Sequence, residues 1–456
     1  MLGNDSSNVD IMLGNPKKAL LKMSVPLIVS LLISSFYNLI DAAWVSGLGA
    51  DALAGVGFFT PIFMVLVGFG NGLGAGASFA ISKYIGEENK PKADNASIHS
   101  ILLDIIVSII LTIVLLGFLN PILNVMGAGQ TINYATDYGV IILTGSILII
   151  LSNALYGIFR GEGDSKRPMY AMIASAILNI ILDPIFIYTL DLGVKGAAIA
   201  TLISAMFVIL ILIYWFYFKR DTYLKPNLTN FNFKREISND IVKVGIPASI
   251  QLLNNAFFAA VFSMLLVYVG STDSVAVYST GWRIVIITTT PLLAIGTALI
   301  SVIAANFGAK NYKNIQTAHR YAMKVSLVIA IVVMILTNLF ASDIASVFTS
   351  SGSSARISAE LTSFIAWIVI YYPTMAVGVP STYVFQGIGK GITAMFQTIM
   401  RETGFTIFFA VLFAVVLNYG VWGAWMGIVL GEIVSNNLTG IWADWQIRKL
   451  MKSYEP

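Results

Sequence analysis

Two aspartates stand in stretches whose neighbours are otherwise suited to lipid. In NLIDAAWVSGLG, residues 38–49, Asp41 closes a run that is apolar or small from Lys22 onward, and in LNIILDPIFIYTL, residues 178–190, Asp183 interrupts a second such run. A carboxylate near the middle of a bilayer costs about 2.5–3.5 kcal/mol on insertion scales, so a chain that keeps one either pairs it or uses it. Neither aspartate is alone. Ser30, Ser34, Tyr37, Asn38 and Asp41 recur at spacings of three and four, and Ser175, Asn179 and Asp183 at spacings of four. Both sets therefore form stripes along one helix face, each ending in a carboxylate.

Tyr138, Asn153 and Thr201, on other apolar segments, add groups that hydrogen-bond a carboxylate or offer oxygen to a small cation. Two carboxyl groups sharing a poorly solvated cavity titrate as a coupled pair, which suits a proton carrier. With Asn179 and Thr201 supplying neutral oxygens, the same cluster of Asp41, Asn179, Asp183 and Thr201 could instead hold a desolvated Na⁺. The spacing does not separate these two chemistries.

The elements that must position these groups follow from composition. Of 456 residues, 57% are apolar and 11% charged, and the mean hydropathy is +0.82. Soluble domains carry roughly a quarter charged residues. The apolar runs extend for twenty residues or more without strand-like alternation, so the fold class is an all-α polytopic membrane protein and not a barrel. The absence of Cys excludes disulfides and thiolate chemistry. The net charge of +4 reflects loops on one side of a membrane rather than a nucleic-acid surface. The N-terminus, with Asp5 and Asp10, has no basic region followed by a short apolar core, so the first span is expected to be retained.

Twelve spans are predicted: Ala19–Val45, Ala52–Ser82, Ser97–Leu119, Ile132–Ile158, Pro168–Leu190, Val194–Phe218, Ile237–Val269, Val275–Asn306, Tyr321–Phe340, Ile357–Phe385, Ile392–Leu417 and Val421–Ile447. All but four of the 27 Lys and Arg residues then fall at or near one side; Lys195 and Arg356 lie on the other, and Arg283 and Arg401 within spans. The positive-inside rule places that side, with both termini, in the cytoplasm of a multi-pass protein of the plasma membrane.

The connector KRDTYLKPNLTNFNFKRE, residues 219–236, divides the chain into an N-terminal lobe, 1–218, and a C-terminal lobe, 237–456, of six spans each. Val25-Pro26 reappears as Ile246-Pro247, Gly86 as Gly308, Gly161 as Gly387, and GVKGA at 193–197 as GVWGA at 420–424. The spacing drifts slowly from 221 to 227 residues, as loop insertions in a duplicated unit would make it. Six spans per unit make the repeats parallel, and transporters built this way place substrate between the repeats and alternate access by rocking them.

The duplication bears on the aspartates. Asp41 and Asp183 could be satisfied helix-to-helix glue, yet their counterparts are about Phe262 or Ser263 and Phe409 or Ala410, so a related bundle forms without either acid. Pro26, fifteen residues before Asp41, predicts a bend, static or moving. GFGNGLGAGAS at 68–78 is read as close helix packing, since no strand precedes it, and no GxxxxGK[ST] element supplies nucleotide hydrolysis. Asp104, Asp137, Arg283, Arg401, Glu402 and Glu432 could line a path, pair with each other or sit at helix ends; structural roles are favoured, with Arg283 the exception, and adjacent Arg401 and Glu402 are expected on different helix faces. His99 and His319 lack metal-ligand spacing, and Phe257, Met264, Met375, Phe385, Met395 and Phe396 are read as packing or as an adaptable cavity lining.

With KKALLKMSVPLIVSLLISSFYNLIDAAWVSGLGADALAGVG, GIFRGEGDSKRPM and LNIILDPIFIYTLDLGVKGAA in order, the sequence resembles the multidrug and toxic compound extrusion (MATE) transporters along essentially its whole length. The similarity is to the archaeal form of the branch related to DNA-damage-inducible protein F. The resemblance implies a V-shaped pair of six-helix lobes that exports bulky, often cationic, drug-like compounds by antiport against H⁺ or Na⁺, without a cofactor, an enzymatic step or a nucleic-acid partner, as a monomer in the bilayer. It assigns ion coupling to Asp41, Asp183, Asn179 and Thr201, a surrounding hydrogen-bond network to Tyr138 and Asn153 beside Tyr37 and Asn38, and a hinge to Pro26. The other large bacterial branch carries acids on its seventh and tenth helices. Here the seventh offers Gln251, Asn254 and Asn255, and the tenth has no acid after Glu360, so that site is not expected. The alternative cargo is a lipid-linked or polyisoprenoid intermediate moved by a flippase.

Overall fold

The computed structural model describes residues 5–219, 221–349 and 352–453; Arg220, counted above among the basic residues, lies outside them. The described residues fold as twelve spanning helices: α1 (Pro16–Ser46), α2 (Ala50–Gly86), α3 (Lys90–Val125), α4 (Gly129–Thr144 with Ser146–Gly161), α5 (Lys166–Thr189), α6 (Val194–Lys219), α7 (Arg235–Val269), α8 (Thr272–Gly308), α9 (Tyr312–Leu339), α10 (Ala355–Gly387), α11 (Gly391–Val416) and α12 (Gly420–Lys452). Short helices at Asp5–Gly14 and Ala341–Thr349 lie outside the spans. Local chemistry sets the starts. Asn15, Asn89 and Asn311 each accept from a backbone N–H three residues on, and proline follows the first two caps within the first turn.

Elements differ from the sequence expectation in extent and in straightness. The fourth span is not one helix: its two pieces meet at Gly145 at an angle of 54°. A side chain at Gly145 would run into Leu202 of α6, so the missing Cβ is what lets the broken helix close on its neighbour. The ninth helix begins at Tyr312 rather than Tyr321, because its Asn311 cap lies beyond the apolar run.

The backbone repeats the duplication. Residues with positive φ pair off as Glu88 with Lys310, Gly163 with Gly389, Asp191 with Asn418 and Gly193 with Gly420. α5 and α11 both close in a π turn, Ile185–Thr189 and Leu412–Val416. These pairs keep the offsets of the sequence repeats.

Three apolar cores show how the halves meet. One, on the side of the linker, is shared: Leu20, Ala77, Ile81 and Phe159 of the first half pack with Ile241, Leu299 and Phe385 of the second. The other two lie toward the opposite side and do not mix, with Val45, Phe59, Ile142 and Val194 in one and Phe262, Tyr278, Phe364 and Trp425 in the other. The halves are therefore joined on the linker side and separate away from it. The glycine run of residues 68–78 belongs to this joint. It lies within α2, where a Cβ on Gly72 or Gly76 would strike Ser249 or Ile241 of α7.

An ionic latch reinforces the joint. Asp240 of α7 accepts from Lys83 Nζ (2.7 Å) and Tyr84 Oη (2.8 Å) of α2, and from Lys243. Nearby, Arg167 pins the linker by pairing with Asp221 (2.8 Å). Partial burial alone would raise the Asp221 carboxyl, but Lys219 and Arg167 outweigh it and hold it below the usual carboxylate range. Asp240→Asn leaves two ammonium groups without their anion. It should shift the balance toward opening on the linker side by about 1.5 kcal/mol, roughly tenfold in population. Distances between spin labels on the linker-side ends of α2 and α7 measure this, and the absence of native cysteine makes labelling clean.

Candidate functional site

Asp41 lies five residues before the end of α1, on the side away from the linker, rather than at the helix centre. Asp183 lies at the matching level of α5, just before Pro184 and the π turn. A proline at this point offers no N–H to the preceding turn, and the widened turn after it brings Tyr188 back toward α1. Tyr188 Oη donates to the Trp44 carbonyl (2.5 Å), and the two rings meet edge-on. This contact ties α5 to α1 over the aspartates. It was not read from the sequence, although the Asp183-Pro184 pair was the signal for it.

The carboxyl groups of Asp41 and Asp183 stand within hydrogen-bonding reach of each other. Asp183 is fully buried, and the Oδ1 atoms of both residues meet no other partner. Two ionised carboxylates are acceptors only, so this contact is a bond only when a proton lies between them.

The surrounding groups hold the pair in place. With the Asn179 amide oriented to satisfy its neighbours, its nitrogen donates to Asp183 Oδ2 (2.9 Å) and its oxygen accepts from the Thr201 N–H (3.2 Å). The Thr201 hydroxyl donates to the Ala197 carbonyl (3.0 Å), and the Tyr37 and Tyr138 hydroxyls stand beside it. Tyr138 also packs edge-on against Phe59. One connected cluster therefore contains Asp41, Asp183, Asn179, Thr201, Tyr37 and Tyr138, drawn from α1, α4, α5 and α6.

Three stripe or neighbouring residues stand outside it. Asn38, three residues before Asp41, is exposed. Asn153 bonds its own helix at the Ile149 carbonyl (2.8 Å) and packs on Gly70 of α2. Ser30 likewise turns back, donating to the Pro26 carbonyl (2.7 Å). α1 runs unbroken through Pro26, which is buried. No group of three or more His, Cys, Asp or Glu suited to a metal is found among the described residues. His99 instead clips the linker: it accepts from the Lys234 N–H (3.0 Å) and lies against Phe231 and Phe233.

Comparison with known proteins gives one consistent answer. The MatE family model matches residues 26–185 and again 247–418, each match opening on a helix proline, Pro26 or Pro247. The multidrug export protein MepA of Staphylococcus haemolyticus (strain JCSC1435) is 26% identical over 420 residues, 91% of each chain. A transporter of the MOP superfamily from Pyrococcus furiosus Vc1 (DSM3638), whose binding pocket has a reverse polarity taken to suggest a different function, is 37% identical. It covers 98% of this chain and 99% of its own with a TM-score of 0.95. A crystal structure of MATE in the straight conformation is 36% identical over 98% of this chain and 100% of its own, with a TM-score of 0.94.

Proposed function

Because this chain belongs to the MatE family, and so is a multi-pass membrane transporter rather than an enzyme, we propose that it exports bulky, cationic organic compounds in exchange for protons, acting as a monomer, with the Asp41–Asp183 pair as the coupling site. The observation that carries this reading is the close approach of two carboxyl groups, which is a hydrogen bond only with a proton between them. Export of drugs is the activity named for MepA. Na⁺ is the other candidate ion, held by the same two carboxyls with the Asn179 and Thr201 oxygens.

The cleft between the separate cores faces away from the linker, and the basic loops support a cytoplasmic side for the linker and both termini. The cleft is then open to the outside. Protons enter from there, and their arrival on the pair removes the negative charge that holds a cationic substrate, which leaves outward. Pro26 is the hinge in this scheme. Its missing N–H leaves the Lys22 carbonyl without a helical partner, so bending there costs less than elsewhere in α1.

Reconstituted protein should expel ethidium from vesicles when a proton gradient is imposed alone, and not when a Na⁺ gradient of equal size is imposed alone. Efflux under Na⁺ only would transfer the coupling role to that ion. Movement of labelled lipid without movement of ethidium would replace export by lipid flipping.

A further inference from the structure

The second half of the chain has no carboxyl at the positions equivalent to Asp41 and Asp183, yet it buries charge on α11 and α12, the counterparts of α5 and α6. α11 widens into a π turn over Met400–Phe405. This changes the expected geometry of Arg401 and Glu402: adjacent residues do not share a face in a regular α-helix, but here Arg401 Nη2 pairs with Glu402 Oε1 at 2.9 Å. Asn254 of α7 donates to Glu402 Oε2 (2.9 Å), and the Asn255 amide, oriented to satisfy its neighbours, donates to both oxygens (3.0 and 2.5 Å). Thr403 in turn donates to Asn254 Oδ1 (2.9 Å). Glu402 is thus an ionised carboxylate with a cation and several donors, complete in itself.

Glu432 of α12 is different. It is only 6% exposed. Asn436 donates to its Oε2 (2.9 Å), and among the described residues no cation pairs with it and no donor reaches Oε1. Arg401, already committed to Glu402, is near enough to act on Glu432 but makes no ion pair with it. Other charged or titratable groups facing this space are Glu402, Tyr371, Tyr372 and Tyr383 of α10, and Tyr278 of α8. Tyr278, 2% exposed, stands close to Glu402 with its hydroxyl unpartnered. One guanidinium thus faces two carboxyl groups at mid-span, so Glu432 must carry a proton or receive a cation.

We infer that Glu432 is the centre of a second binding site, in the second half of the chain, where the charged centre of a lipophilic organic cation replaces a proton. Glu402 and Arg401 are the fixed wall of that site, and the free Glu432 oxygen is its ligand. This goes beyond the coupling pair but rests on the reading of the chain as an exporter of organic cations.

The test is calorimetric binding of tetraphenylphosphonium to purified full-length protein, with proton release measured from the buffer dependence of the heat. The Asp41→Asn/Asp183→Asn variant should still bind the probe and release a proton. Adding Glu432→Gln, which keeps an acceptor for Asn436, should weaken binding at least about tenfold and end the release. Glu432→Asp, which keeps the charge, should hold affinity within about threefold of the parent, a rescue that a merely structural role would not show and that separates loss of the site from loss of the fold. The site is overturned if the Gln variant binds and releases protons like its parent, or if silencing the first pair already removes all binding. No binding by the wild-type protein would overturn the exporter reading together with the site.

Discussion

Asp41→Asn should reduce gradient-driven ethidium efflux to the background of empty vesicles while leaving the protein folded. Asparagine has the shape of the aspartic acid it replaces, and its amide donates to Asp183 permanently, in the place of a proton shared between the two carboxyls in the proposed scheme. The pair is then fixed in the equivalent of its protonated state. A cycle that needs the proton to leave stops, so the expected change is abolition and not slowing. Stability should move by no more than roughly 1 kcal/mol, since no buried group loses a partner. Efflux assays beside thermal unfolding separate the two effects. Asp183→Asn should behave alike, its amide oxygen keeping the bond from Asn179 and its nitrogen meeting Asp41.

Gly76→Leu carries the second large effect. Gly76 faces the backbone of Ile241 and Gly245 on α7, and a Cβ there would fall inside contact distance of the Ile241 carbonyl. That neighbour is main chain and cannot rotate away. Overpacking of this kind costs about 1–3 kcal/mol, which would move the ratio of linker-side-open to linker-side-closed molecules roughly fivefold to more than a hundredfold. Label distances across α2 and α7 should lengthen, and efflux should fall because the joint no longer re-forms. Gly57, also in α2, has open space around its Cβ position and is the control: Gly57→Leu should leave the distances unchanged.

The residues disclose part of this on their own. The twelve spans and the internal repeat were legible because apolar runs and recurring Gly and Pro report directly on helices that must satisfy themselves in lipid. The carboxylate stripes were legible for the same reason: polar groups recurring at i and i+4 in an apolar helix line one face, and lipid cannot be what that face meets. What failed was local geometry that depends on departures from a regular helix. Arg401 and Glu402 meet only because α11 is widened into a π turn, and α4 is broken at Gly145 because Leu202 presses on it from another helix. Tyr188 reaches Trp44 through a π turn as well. Periodicity assumes 3.6 residues per turn, and these positions do not keep it. Asn38 and Asn153 enter the set by spacing; Asn38 is exposed and Asn153 bonds its own helix.

The claim that rests most on this geometry is that one carboxyl pair exchanges a proton for a drug. Its most direct measurement records proton entry and ethidium exit together in the same vesicles, for the wild-type protein and for Asp41→Asn/Asp183→Asn. Linked counterflow is expected in the wild type, with both fluxes at background in the variant. Gradient-driven ethidium exit at the wild-type rate in the variant, or exit from wild-type vesicles with no accompanying proton entry, would contradict it.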